Sequence, residues 1–348
     1  MSLSRKRRRS QRGLSSKRLA EHLVRGDSVV IITGAGLSVS SGVRPFRGSS
    51  GLWQEVIWKT ATRASFRKDP LEWYNGFWLP HFGSGTTGGG GGATNKTYEP
   101  NSGHAALQNL VDMFPDTCHI ITQNVDGLQK GVVVEAHGRV GLYKCIPDDD
   151  SDTDSDSDED DHRLVHLGHR RKSRALRKAI QNLEITNENS VDNVSKYMCR
   201  YQLMDSIPLD AIEPPSVREA LANGATTLDS PPLCPSCRSP VPPQALLFDE
   251  GYHSHDFYRF EEMETLLSNA AVLVFVGTSF NVTITGVALD HAREHGIPVF
   301  NFNTVDVLEP SVRLNVENIV GKSDETLPRL VEDVQEELQS LALSSTQT

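Results

Sequence analysis

At 348 residues, 37% of them hydrophobic, the chain can bury one large core or two modest ones. No apolar run approaches the ~20 residues that span a bilayer, and no charged-then-apolar leader opens the sequence, so a soluble protein without membrane contact is expected. Five cysteines are too few for a secreted disulfide scaffold and point to a reducing compartment. The net charge of −10 is local: residues 148–161, DDDSDTDSDSDEDD, hold ten acidic groups, the rest of the chain balances, and residues 1–18 carry eight Lys or Arg and no acid.

Residues 1–14, with RKRRR at 5–9, are expected to form a disordered basic tail. A solvated tail, a nuclear-import signal and a mitochondrial presequence all suit its composition, and the unbroken basic run fits import to the nucleus better than an amphipathic presequence. Residues 15–25, SSKRLAEHLVR, have helical spacing and a serine cap, and Gly26-Asp27 stops them. The next stretch, SVVIITGAGLSVSSGVRPFRG at 28–48, begins as a buried strand, Val29 to Thr33, and runs straight into Gly34-Ala35-Gly36. A glycine turn after a strand lets backbone approach a pyrophosphate, yet the third glycine of G-x-G-x-x-G falls at Val39, and the loop continues through Ser38 to Phe46-Arg47.

Residues 52–82 contain all the tryptophans and read as helical pieces, and 83–98, with GGGGG inside, reads as a surface loop. A second α/β unit follows: helix 102–113, strand CHIITQNVDG, then VVVEAHGRV. Residues 146–198 are a low-complexity insertion, acidic and then basic, for which a solvated loop is the simplest reading. After a proline-rich stretch with CPSC come helix 257–268, strand AVLVFVG, helix 285–295, strand PVFNFN and a last helix over 325–341. Strands alternating with helices predict an α/β fold: a Rossmann-like, doubly wound parallel sheet carrying a smaller zinc-binding module and a helical module.

Ligands of such sheets sit at the carboxyl ends of the strands, where Gly277-Thr278-Ser279 offers a second small-residue turn and Asn303 a polar edge. TQNVDGL crowds Gln123, Asn124 and Asp126 at the end of another strand; an Asx turn that merely stops the strand is the plainer explanation. In EAHG, His137 lies between a strand and a glycine. A histidine so placed is often only a structural hydrogen-bonder, but beside a carboxamide and carboxylate cluster a neutral imidazole suits a general base for a hydroxyl. Cys234 and Cys237 have knuckle spacing for Zn²⁺, and Cys145 and Cys199 complete a tetrahedral set, while Cys118 reads as buried in a strand. The 53 residues between Cys145 and Cys199 are no obstacle, because loop closure costs grow only logarithmically; Asp148 is the alternative to Cys199.

Together these segments resemble the sirtuins, NAD-dependent protein-lysine deacylases, over about 15–145 and 230–335. GAGLSVSSGVRPFRG is similar to the family's GAGxSxxSGIPxFR loop, TQNVDGL to TQNxDxL, and HG to its catalytic His-Gly. GTS and NFN match its adenosine-side motifs, and CPSC its second zinc knuckle. The resemblance implies a catalytic domain over 15–335, with Rossmann-like parts at about 15–50, 100–140 and 245–335, a helical module at 51–99, a zinc module at 141–244 and a C-terminal tail at 336–348. Gly34, Ala35, Gly36 and Ser38 would line phosphates and ribose, Phe46 would shield the reactive face, and Arg47 would hold the loop. Gln123 would contact the nicotinamide ribose, Asn124 and Asp126 the carboxamide, and His137 would act as base on a ribose hydroxyl, with Asn124 beside it in catalysis. Gly277, Thr278, Ser279 and Asn303 would hold the adenosine half, with Lys322 near adenine. ALLFDEGY at 245–252 resembles the strand that pairs with the substrate backbone.

The implied reaction moves acetyl from lysine to ADP-ribose with release of nicotinamide; NAD is the co-substrate and structural Zn²⁺ the metal. Expected partners are acetylated proteins or peptides, histones among them, in the nucleus, with mitochondrion or cytoplasm as alternatives; no direct DNA binding is expected, since the basic stretches lack aromatic interleaving. Protein mono-ADP-ribosylation on the same fold, or a weakly catalytic NAD-sensing chromatin-binding module, are the alternative functions. Three departures from the family stand out: Arg44-Pro45 replaces Pro-Asp, the first zinc knuckle lacks its immediate second cysteine, and the charged insertion inside the zinc module has no family role to carry over. The tyrosine-arginine pair of desuccinylating members is absent, because Tyr74 is followed three residues on by Phe77.

Overall fold

A computed structural model describes residues 2–43, 59–83, 98–146, 199–308 and 314–345, with side chains of the first helix from Leu14 onward. Phe46, Arg47, Asp148, the glycine loop at 84–97 and the insertion at 147–198 lie outside the described residues. The chain divides into two compact units, Met1–Leu52 with Thr97–His137 and Phe260–Thr348, and Trp53–Lys96 with Gly138–Arg259.

The first unit is built on six parallel strands in the order β3-β2-β1-β7-β8-β9. These are β1 (Val29–Thr33), β2 (Cys118–Thr122), β3 (Val133–Glu135), β7 (Val272–Val276), β8 (Val299–Asn303) and β9 (Val316–Val320). β1 and β7 are buried along their whole lengths and rich in β-branched residues, as parallel strands covered on both faces must be. The strand order runs outward in both directions from the β1–β7 pair, so the sheet has its topological switch point there, and the loops leaving these two strands open the crevice.

Three helices cover one face: α1 (Ser2–Arg25), the helix Ser102–Met113, and the long helix Ser323–Ser345. Leu19 and Leu23 of the first pack with Leu107 and Leu110 of the second and with Leu327, Leu330, Val331 and Val334 of the third, a helical repeat that puts one stripe on the sheet. Pro328 sits inside the last helix, where it cannot donate to the carbonyl of Asp324; Ser102 Oγ donates to that carbonyl instead, at 2.7 Å. Two sequence expectations change here. The basic segment expected as a disordered tail over 1–14 belongs to α1, which is helical from Ser2 because Arg, Lys and Gln are good helix formers and no proline interrupts them. The last helix, expected over 325–341, runs on to Ser345, so the C-terminal segment set apart at 336–348 is helical as far as it is described.

The second unit holds a three-stranded sheet, β5-β4-β6, of β4 (Gly138–Tyr143), β5 (Ile207–Pro208) and β6 (Pro243–Ala245). Its helical part is Arg63–Lys68 followed by a run through Pro70–Glu72, Trp73–Trp78 and Leu79–Phe82, with π geometry at its centre. Trp73, Tyr74, Phe77 and Trp78 are all buried there, and Tyr74 Oη donates to the Val241 carbonyl at 2.8 Å. β4 begins at Gly138, φ +86°, where a Cβ would lie 1.9 Å from the Gln244 carbonyl oxygen. Only glycine therefore permits the β4–β6 register, which explains the second letter of the His-Gly motif.

Candidate active site and metal centre

The loop after β1 is locked to the loop after β7 through backbone. Gly34 N–H donates to the Val276 carbonyl at 2.9 Å and Gly36 N–H to the Gly277 carbonyl at 2.8 Å. A Cβ on Gly36 would stand 2.6 Å from the Gly277 Cα, and one on Gly277, φ +60°, 2.5 Å from the Leu37 nitrogen. Gly277→Ala is thus expected to cost at least about 2 kcal/mol, through left-handed strain and this collision, and to open the crevice; a lowered Tm with weakened nucleotide binding in a calorimetric titration checks it.

Within that crevice a small polar network converges on Ser38, which is fully buried. Its hydroxyl donates to Asp126 Oδ2 at 2.6 Å and accepts from Asn124 Nδ2 at 3.3 Å. The third partner is His104, whose Nε2 lies 3.3 Å from Ser38 Oγ. The tautomer follows from the other ring nitrogen: Asn101 N–H donates to His104 Nδ1 at 3.2 Å, within a capping box that starts the helix Ser102–Met113, so the ring proton is on Nε2 and points at Ser38. Burial holds the His104 pKa below its usual value, against the pull of Asp126, and keeps the ring neutral. His104 was missed by reading the sequence, where PNSGH looks like an ordinary helix start. The signal was a histidine at the third helical position, where a capping box usually has Glu or Gln.

Both hydrogens of Asn124 Nδ2 are committed, the second to the Gly34 carbonyl at 3.1 Å, so the atom it presents is the acceptor Oδ1. Asp126 Oδ1 accepts from Leu128 N–H at 3.0 Å, the Asx turn expected from sequence. Gln123 Nε2 donates to Thr278 Oγ1 at 3.3 Å, and Asn303 Nδ2 donates to the Thr278 carbonyl at 2.9 Å, which ties the ends of β2, β7 and β8 together. Ser279 is exposed in the same loop. Lys322 is exposed one residue before the last helix, whose Ser323 Oγ donates to the Gly36 carbonyl at 3.5 Å. Ala35 lies in the turn itself. His137 follows β3, and its Nδ1–H donates to the Gln123 carbonyl at 3.1 Å, which makes Nε2 the basic nitrogen; burial pushes its pKa down to about 4.

In the second unit Cys145, Cys199, Cys234 and Cys237 bring their sulfurs within 4.8 Å of one another. Cys145 Sγ lies 3.6 Å from both Cys199 Sγ and Cys237 Sγ, and Cys199 Sγ lies 3.6 Å from Cys234 Sγ. A tetrahedron with Zn–S bonds of about 2.3 Å has sulfur edges of roughly 3.8 Å, and a disulfide would need about 2.05 Å, so the donor set fits zinc and not a pair of bridges. Cys118, fully buried in β2 with its thiol pushed up to about 12 by burial, stands apart from them.

A network of Ser38, Asn124, Asp126 and His104 beside a glycine-to-glycine contact at the switch point of a parallel sheet is the setting of a dinucleotide site in an α/β protein, and the second unit adds a four-cysteine set that fits zinc. The chain belongs to the Sir2 family, whose family model matches residues 34–284. It is 32% identical over 329 residues to the NAD-dependent deacetylase sir2E of Dictyostelium discoideum, covering 90% of this chain and 75% of that one. A solved Sir2 enzyme superposes with TM-score 0.58 at 22% identity, covering 92% of this chain and 98% of the other. Another, Sir2Af2 bound to a myristoylated histone peptide, gives 0.51 at 19% identity, with 94% and 98% covered.

Proposed function

We propose that the protein is an NAD-dependent protein-lysine deacetylase, moving the acetyl group of a substrate lysine to ADP-ribose with release of nicotinamide. Family membership and the naming of the Dictyostelium relative support the activity. The observation that carries the residue roles is the Ser38-centred network, which fixes Asn124 Oδ1 and the Asp126 carboxylate beside the turn after β1. NAD supplies an activated ribose carbon; the chain supplies acceptors for its hydroxyl and carboxamide hydrogens, and His137 Nε2 takes a proton from a ribose hydroxyl. The Gly34–Gly36 and Gly277–Ser279 loops and Asn303 hold the phosphates and adenosine, with Lys322 beside them.

The substrate is an acylated peptide pairing its backbone with residues 245–252. Solved relatives include one bound to an acylated histone peptide, which supports this class of ligand, with histones as the first substrates to try. The acyl group is neutral: Tyr74 has its hydroxyl on the Val241 carbonyl, and Phe77 is buried beside it, so this pair offers a carboxylate no cationic clamp. Mass spectrometry of an acetyl-lysine histone peptide with and without NAD tests the reaction. Loss of acetyl with appearance of O-acetyl-ADP-ribose is expected; nicotinamide release with ADP-ribose on protein would mean transferase chemistry, and no NAD consumption would mean a binding module.

With the neutral imidazole favoured down to about pH 4, the base is competent from pH 8 to 5 and is lost only as pH falls through about 4. The kcat/KM profile is therefore expected to lack an inflection at 6.5, and an acid limb centred there would show an ordinary solvated histidine.

The basic run at 5–9 is read as a nuclear-import signal. A fluorescent fusion should accumulate in nuclei and lose that accumulation on Arg7→Ala/Arg8→Ala/Arg9→Ala; a mitochondrial or diffuse wild type would overturn it.

A further inference from the structure

Lysine is rarely buried, yet Lys144, the residue after β4, is 1% exposed. Its ammonium donates to the Ala245 carbonyl at 2.9 Å, to Glu250 Oε2 at 2.5 Å and to Tyr258 Oη at 2.7 Å, so all three of its donors have acceptors. Glu250 Oε2 also accepts from Leu247 N–H at 2.8 Å. The same short segment is gripped a second time: Phe248 N–H donates to the Ala61 carbonyl at 3.0 Å, and Asp249 accepts from Arg63 N–H at 2.7 Å and from Ala64 N–H at 3.1 Å. Arg63 Nη2 then donates to the Asp249 carbonyl at 2.9 Å.

A buried ion pair adds little net stability over apolar residues of the same size, because desolvating both charges offsets their attraction. What it does supply is directional geometry. Here the geometry converges on residues 245–250, which lead from the end of β6, an edge of the β5-β4-β6 sheet among the described residues, into a turn closed by Glu250 N–H on the Leu247 carbonyl at 3.0 Å. A sheet edge accepts a peptide strand only if the segment that leaves it is held in one shape, clear of the pairing groups.

We propose that Lys144 is a positioning residue for the acyl-peptide, acting with Glu250 to hold residues 245–250 in the shape that a substrate backbone pairs with. This deepens the deacetylase reading and rests on it. Removing the lysine alone leaves Glu250 as an uncompensated buried carboxylate, so Lys144→Met combines lost stability with a released segment. Replacing both charges separates the two effects: Lys144→Met/Glu250→Leu restores packing without restoring the grip on Ala245 and Leu247.

The test measures KM for an acetyl-lysine peptide, KM for NAD, kcat, Tm and zinc content in the full chain. In the double variant we expect a Tm near wild type, unchanged zinc, NAD KM within twofold, and peptide KM raised at least fivefold. KM is read from folded molecules only, so partial unfolding lowers Vmax without imitating this result. A wild-type peptide KM in the double variant, a parallel rise in NAD KM, or a raised peptide KM confined to zinc-depleted protein would overturn the assignment. If neither charge-removing variant accumulates, Glu250→Gln decides it: a peptide KM up about threefold supports the role, and an unchanged one ends it. A wild type that does not deacetylate the peptide defeats the deacetylase reading itself, whereas active variants with unchanged peptide KM defeat only the role of Lys144.

Discussion

His137→Ala is expected to lower kcat by about 10³-fold while KM for NAD stays within threefold, because a positioned general base contributes roughly 10²–10⁴. The residue is suited to that role by two facts. Its Nδ1–H is tied to the Gln123 carbonyl, which orients Nε2, and burial holds the pKa near 4, which keeps the ring neutral. The alanine variant should melt close to wild type, since water can take the place of the ring on the Gln123 carbonyl. Steady-state kinetics with a nicotinamide-release readout checks the loss. A fall of less than tenfold would move the base elsewhere, and His104 would not be the substitute: its ring proton already points at Ser38, and its other nitrogen is capped by Asn101 N–H.

That pair of histidines shows what was legible and what was not. His137 announced itself through its neighbours, a strand before it and a glycine after it, and Gly138 is required because the Gln244 carbonyl occupies the space of a side chain. His104 sits in a helix start that would read the same with any capping residue, and its role appears only when α/β packing brings it to Ser38, 66 residues away in sequence. The strands were legible for a simple reason: VVIIT and VLVFV are continuous apolar, largely β-branched runs, which a buried parallel strand demands. Composition misled at the amino end, where a basic run suggested an unpacked tail but Arg, Lys and Gln also have high helix propensity. The grip of Lys144 was not visible at all, since a lysine after an alternating strand is ordinarily a solvated one.

The second large effect concerns the metal. Cys234→Ser is expected to abolish stoichiometric zinc and, with it, the order of the β5-β4-β6 sheet and at least a hundredfold of deacetylase activity. Cys145 directly follows Lys144 at the end of β4, its N–H donating to the Tyr201 carbonyl at 2.8 Å, and Cys199 starts the turn that leads to β5. Cys234 N–H donates to the Ser239 carbonyl at 2.9 Å, closing the knuckle that precedes β6. One ion held by these four thiolates would thus join the approaches to all three strands. Structural zinc sites release about 10–16 kcal/mol on binding, comparable to the whole stability of an ordinary domain at 5–15 kcal/mol, so the sheet should not survive its loss. Metal analysis by plasma mass spectrometry, with hydrogen exchange resolved by peptide, checks both parts: one zinc per chain in wild type and less than a tenth of that in the variant, with β4 and β6 losing protection while β1, β2 and β7 keep theirs. Cys118→Ser serves as the control, because that thiol is buried in β2 outside the cluster and its loss should leave zinc at one per chain. Full zinc in Cys234→Ser would mean that three thiolates and a fourth ligand such as Asp148 suffice, and Cys199→Ser would then be the variant to read: zinc retained there as well would remove Cys199 from the site, while zinc lost would keep it as a ligand that Cys234 is not.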